Sequence, residues 1–231
     1  MIKLVLALGM LASGVSHARD ISPVPAQVVL LDGVVSNQAA RQFGARVFKL
    51  AAEGKSTIDV VIDSPGGSVF AGNSIISTME ALKQRGITVR CYVPVLAASM
   101  AFQIFLHCSE RYGLNNAHFL WHRSRVFGLF ILTAPRVITL ARELQDIDSL
   151  FEADQIANMS LSADLIRQHS EAETLHIGLN LEQLDPSFMD TRVVIPGLLE
   201  LLPANKTSEA PVTILDKQDM YYLHEQFIIS K

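Results

Sequence analysis

An α/β fold with a largely parallel sheet is what this sequence predicts, on three observations. Strand-like and helix-like segments alternate along the chain. The strand-like runs are short and apolar, and each leads through a turn into a segment of helical periodicity. The 231 residues, 49% hydrophobic and only 18% charged, are enough to bury one large core or at most two small ones.

The elements follow in order. MIKLVLALGMLASGVSHA carries one cation at Lys3, an apolar run from Leu4 to about Val15, and small residues at Ser16 and Ala18. That is the layout of a secretory signal peptide cleaved before Arg19; an uncleaved anchor and a buried first helix are the alternatives. Cleavage would take the net charge from −4 to −5 with the loss of Lys3. AQVVLLDGVV reads as a buried strand, and from Ser36 the spacing of Ala40, Phe43, Val47 and Leu50 predicts a helix that ends at Gly54. STIDVVIDSPGG is a second strand running into a turn. A helix from Ser68 to Gly86 places Ile75, Ile76, Met79 and Leu82 on one side. ITVRCYV is a third strand, a helix opens at Ser99, and AHFLWH is a further short strand. A long helix from about Pro135 to Met159 follows, with Val137, Leu140, Leu144, Ile147 and Phe151 in near-heptad register. The expected organisation is a leader over 1–18, an α/β domain over 19–180 and a C-terminal extension over 181–231, in which Pro186, Pro196 and Pro203 break up short apolar runs. That extension wraps the domain or reaches a neighbouring subunit.

Charge excludes some partners. Neither sign forms long runs, so the basic stripe of a nucleic-acid binder is missing. No apolar stretch reaches the roughly 20 residues of a spanning helix, so no stable membrane span is expected after cleavage of the leader. Export to the periplasm or outside the cell would put the two cysteines where a disulfide persists. Cys91 lies in the third strand and Cys108 near the end of the helix after Ser99, and an antiparallel return is one way to join them. Two buried free thiols are the preferred alternative, because the sequence does not supply the Cα separation of a bridge.

In parallel sheets, chemistry collects where strands lead into helix N-termini, and two such junctions stand out. In DSPGGSV, a proline stiffens the turn and two glycines permit positive φ, leaving backbone N–H groups to face an anion. In AASMAFQIF, Ser99 opens a helix and the Met100 N–H is an unpaired donor of its first turn. Two sets of donors around one hydroxyl suit acyl transfer, whose oxyanion needs preorganised N–H groups, and His122 ends the next strand-like run as a candidate base. Taken singly, these pieces also read as a plain turn, a helix cap and a structural histidine. A nucleotide loop is poorly supported, because no Lys-Ser/Thr pair follows the glycines.

Taken together, IDVVIDSPGGSVFAGNSIISTMEAL, VLAASMAFQIFL and NNAHFLWHRS resemble the successive signatures of the proteolytic subunit of Clp protease and its crotonase-like relatives. The resemblance runs from about Val28 to Ser124 and extends more weakly to about Leu179. It implies a ClpP/crotonase-like fold of repeated β-β-α and βαβ units with a long interface helix. It further implies Ser99 as nucleophile, His122 as general base, and an oxyanion hole from the N–H groups of Gly67 and Met100. The implied reaction is hydrolysis of a peptide bond in peptides or unfolded protein, with neither metal nor cofactor. The family's third residue, an aspartate after the long helix, has two counterparts by position: Glu171, counting forward from His122, and Asp164, counting back from Gly178. The chain departs from the family in Pro94-Val95-Leu96, where a glycine is usual.

The resemblance also implies ring-forming homo-oligomers, and VFGLFILTAPRVITLARELQDI has more apolar surface than one helix face needs. An exported member would have no access to a cytoplasmic ATP-driven unfoldase, so an ATP-independent serine peptidase is expected. The alternatives are an inactive assembly module of the same fold and an acyl-coenzyme-A enzyme of the wider superfamily. The export signal and the Ser/His pair argue against the second.

Overall fold

In chain order the elements are β1 (Arg19–Asp20), β2 (Val28–Asp32), α1 (Asn37–Ala52), β3 (Thr57–Asp63), α2 (Val69–Gln84), β4 (Thr88–Val93) and β5 (Leu96–Ala98). They continue with α3 (Met100–Leu106), β6 (Glu110–Gly113), β7 (His118–Leu120), α4 (Ala134–Asn158), α5 (Ala163–Ala172), β8 (Leu175–Ile177), α6 (Gly178–Leu184) and β9 (Val193–Val194). A computed structural model of the protein describes residues 19–20, 23, 27–126, 131–191 and 193–194. All lie in the first of two compact units, Met1–Gly197; the second, Leu198–Lys231, and the leader-like segment 1–18 fall outside the described residues.

Strands β2, β3, β4 and β6 form one sheet in that order, and each neighbouring pair is parallel. This is the parallel α/β architecture that the alternation predicts, with α1 and α2 as crossovers. Both helices start where a serine can cap them. Ser36 Oγ accepts the Ala39 N–H at 3.2 Å, and Ser68 Oγ accepts the Ala71 N–H at 3.3 Å. The stripe Ala40, Phe43, Val47 and Leu50 is buried, as are Ile75, Met79 and Leu82. Their periodicity is therefore the face that covers the sheet. At the sheet's centre, buried Asp59 accepts two hydrogen bonds from Arg90, at 2.7 and 3.0 Å, and one from the Tyr92 hydroxyl at 3.0 Å.

A second, smaller sheet stands beside the first. It joins β5 and β7 in parallel and β7 and β8 antiparallel. Pro94-Val95-Leu96 is the bend that creates it, because the chain leaves β4 at Val93 and re-enters extended structure at Leu96. Aromatic packing fixes α3 against this sheet: Phe102 stacks on Trp121 at 5.0 Å between centroids, and Phe105 packs on Phe119 at 5.5 Å.

Two further differences concern the cysteines and the tail. Cys91 and Cys108 are bonded, with their Cα atoms 5.9 Å apart, so the preference for free thiols is corrected. Nor is the return antiparallel, since β6 follows Cys108 and runs parallel to β4 with Cys91 opposite Arg111. The segment after α6 packs onto the domain. Phe188 and Met189 are buried, and Asp190 exchanges backbone hydrogen bonds with Arg111 and Gly113 at the sheet edge. The N-terminal half of α4 stands exposed, and the helix's buried residues, Phe151 and Gln155, lie in its C-terminal half. Among the described residues no helix is long and apolar enough to cross a membrane.

Candidate active site

Ser99 sits on a strained turn between β5 and α3. Its backbone takes φ 54° and ψ −124°, a left-handed region that a serine rarely occupies, and its side chain makes no capping hydrogen bond. Ser99 stands at the N-cap position without capping the helix through its side chain. The hydroxyl is half-buried between buried Ala98 and Met100 and is not spent on the helix. Backbone strain of this kind persists only where the surroundings impose it. Here the Ser99 N–H donates to Leu120 O at 2.8 Å, tying the turn to the end of β7. Ala98 pairs with Leu120 in register, so Ser99 and His122 both lie just past the carboxyl ends of adjacent parallel strands.

The glycine turn closes on the same point. Ser64 is buried and its backbone brackets β5: its N–H donates to Leu96 O at 2.9 Å and its carbonyl accepts from Ala98 N–H at 3.0 Å. Its hydroxyl accepts the Gly66 N–H at 3.1 Å. Gly66 has φ 93°, and a Cβ there would stand 2.6 Å from Ala98 O, 2.7 Å from Ser99 Cβ and 2.8 Å from Met100 N. Only a glycine lets the two loops touch. Val35 makes both hydrogen bonds of its bridge to this turn, donating to Gly66 O and accepting from Ser68 N–H, each at 2.8 Å. The N–H of Gly67 is therefore turned away from Val35. Met100, first residue of α3, has an N–H with no acceptor within its helix.

His122 is half-buried, and its Nδ1 lies 2.6 Å from Arg123 O. A carbonyl only accepts, so Nδ1 carries the proton and Nε2 is the basic nitrogen. The sequence assigned this orienting contact to a carboxylate. Instead, Glu171 Oε1 pairs with Arg123 Nη2 at 3.0 Å, and Asp164 Oδ1 pairs with Arg167 Nη1 at 2.8 Å. Both carboxylates are exposed. A carboxylate that bonds the backbone of the histidine loop is one the motifs do not contain. Asp148 on α4 is largely buried, accepts the Ser124 N–H at 2.7 Å, and lines a small pocket with His122 and Arg123. Its only sequence signal is position, four residues after Leu144 and three before Phe151, a polar side chain on the apolar stripe of the helix.

Behind the site, Trp121 stacks on buried His176 at 4.6 Å, and its Nε1–H donates to Ile166 O at 3.2 Å. Burial, with the neighbouring His169 adding to it, pushes His176 down to about 4 from its ordinary 6.5. This ring is therefore neutral packing near neutral pH. Among the described residues no group of three or more His, Cys, Asp or Glu side chains is arranged to hold a metal ion.

A serine on a strained strand-to-helix turn, a histidine with a fixed tautomer and two facing loops of backbone N–H groups define a serine-hydrolase type of site on a parallel α/β fold. Comparison with known proteins narrows the class. A match to the Clp protease family spans residues 22–175, and the chain belongs to that family, whose members are serine peptidases. Among its relatives is ATP-dependent Clp protease proteolytic subunit 1 of Streptomyces coelicolor, 28% identical over 162 residues, which cover 66% of this chain and 72% of that one. The subunit 1 of Mycobacterium tuberculosis is 28% identical over 160 residues, covering 66% and 78%. Subunit 3 of Streptomyces avermitilis is 26% identical over 180 residues, covering 74% and 78%.

Proposed function

We propose that this protein is an exported, ATP-independent serine peptidase that cleaves peptides or unfolded segments through a Ser99 acyl-enzyme. The observation that carries the reading is Ser99 itself, held at φ 54° with its hydroxyl withheld from capping. Strain without a structural return is what a nucleophile turn requires. His122 Nε2 takes the Ser99 proton as Oγ attacks the scissile carbonyl. The N–H groups of Gly67 and Met100 receive the oxyanion, a contribution of ~3 kcal/mol per donor in such sites. The imidazolium then protonates the leaving amine, and water resolves the acyl-enzyme by the same steps in reverse order.

Export is supported by the leader-like segment 1–18 and by the Cys91–Cys108 bond, which an oxidising compartment permits. ATP independence follows from export, and separates this chain from relatives whose names carry the words ATP-dependent. Self-assembly is supported by α4, where Val137 and Ile138 are half-exposed on the part that stands clear of the domain. The test is hydrolysis of a fluorogenic peptide by the purified protein without nucleotide. Wild type turns over, and Ser99→Ala and His122→Ala do not. Turnover retained in Ser99→Ala, or dependent on ATP and an unfoldase, would refute the reading. N-terminal sequencing of the exported protein is expected to begin at Arg19, and an intact Met1 would contradict cleavage.

A further inference from the structure

We infer that Asp148 is the positioning carboxylate of this site, acting on His122 through the Arg123–Ser124 peptide; the inference rests on the reading of Ser99 and His122 as the catalytic pair. One amide carries both contacts. Its carbonyl accepts the His122 Nδ1–H at 2.6 Å, and its N–H donates to Asp148 Oδ1 at 2.7 Å. In a trans peptide the two groups point in opposite directions, so the imidazole and the carboxylate approach from opposite sides of one rigid plane.

The physical consequence is polarisation. A neutral carbonyl fixes the tautomer of His122, but it stabilises the imidazolium less than a carboxylate would. A carboxylate bonded to the N–H of the same amide draws positive charge toward itself and leaves the carbonyl oxygen more negative. Chains of hydrogen bonds strengthen one another in this way by roughly 10–30% per bond. Asp148 is suited to the task because its side chain is 16% exposed and α4 holds it in place between Leu144 and Phe151. Glu171, 64% exposed and paired to the guanidinium, is screened by solvent.

Other charges face the same pocket. They are the Arg123 guanidinium, Glu152 from α4 and Arg167 from α5. Glu152 and Arg167 pair with each other at 2.8 Å, and Arg167 is shared with the exposed Asp164. The Arg123 guanidinium opposes Asp148, but at 3.9 Å from Oδ2 its pairing is looser than the 2.7 Å amide bond.

The test reads the imidazole directly. The exchange of its C2 proton for deuterium, followed by mass spectrometry of the peptide containing His122 across a pH series, gives the ring's titration midpoint whether or not the protein is active. Asp148→Asn keeps the shape and an acceptor for the Ser124 N–H but removes the charge. It is expected to lower the midpoint by roughly half a pH unit, less than the shift of about 1–3 from a carboxylate in direct contact. Asp148→Ala, which removes the acceptor as well, is expected to lower it further, and Glu171→Gln to move it much less. A midpoint unchanged in both Asp148 variants, or one that Glu171→Gln moves as far, overturns the inference. The labelling of Ser99 by a fluorophosphonate, measured in parallel, fails separately. Its absence from wild type would refute the catalytic reading while the His122 midpoint still decides the role of Asp148.

Discussion

Substituting Gly66 by alanine tests whether the turn after β3 is built against the nucleophile. Two costs are readable from the structure. Gly66 has φ 93°, and an L-residue in that region costs about 1–2 kcal/mol. The added Cβ would also stand 2.6 Å from Ala98 O and 2.8 Å from Met100 N. Both are backbone atoms that cannot rotate away, and overpacking of this kind costs about 1–3 kcal/mol. The total is about 2–5 kcal/mol. Gly86→Ala supplies the control, because Gly86 has φ 77° and nothing within 4 Å of its Cβ position, leaving only the backbone cost of about 1–2 kcal/mol. Urea unfolding of both variants, with the rate of fluorophosphonate labelling of Ser99, separates the costs. Gly66→Ala is expected to be less stable than Gly86→Ala by at least about 1 kcal/mol and to be labelled far more slowly. Equal stability of the two variants, with labelling of Gly66→Ala at the wild-type rate, would refute the packing argument.

Three other outcomes follow from the geometry. His176 is buried with its ring held down to about 4, so between pH 6.5 and 4 the unfolded chain takes up a proton that the folded one refuses. Stability is therefore intact above about pH 6.5 and falls by about 3 kcal/mol as pH drops to about 4, and His176→Phe flattens this loss in urea titrations at pH 7 and pH 5. The Cys91–Cys108 bond spans 17 residues, and its replacement in the double variant Cys91→Ser, Cys108→Ser is expected to cost about 3 kcal/mol, measured as a lowered denaturant midpoint. Asp59→Ala leaves Arg90 and Tyr92 without their buried acceptor and is expected to cost about 3–5 kcal/mol by the same assay, part of which the double variant Asp59→Leu, Arg90→Met recovers.

What the sequence makes legible is what local chemistry dictates. The first two helices are announced by Ser36 and Ser68 as caps, by an apolar stripe and by a terminal glycine, and they form where those signals stand. The long helix starts at Ala134 with Pro135 in its first turn, a position that proline fits. Strand β5 has three residues, too few for a period to show, and exists because Leu96, Ala97 and Ala98 find partners in Ser64 and β7. The disulfide depends on β6 returning parallel to β4, a long-range register that no local pattern records. At the site, Ser99, His122 and the glycine turn are carried by motifs. The orienting contact of His122 is a backbone carbonyl, which has no residue identity to read, and Asp148 reaches it only because α4 folds back over the loop.

The central claim is that Ser99 is a nucleophile activated by His122. The most direct measurement is to treat the purified full chain with a fluorophosphonate probe and map the modified residue by mass spectrometry. The account predicts a single label on Ser99, absent in Ser99→Ala and strongly reduced in His122→Ala. An unlabelled Ser99 under conditions that label an authentic serine hydrolase would contradict it, as would labelling that is indifferent to His122.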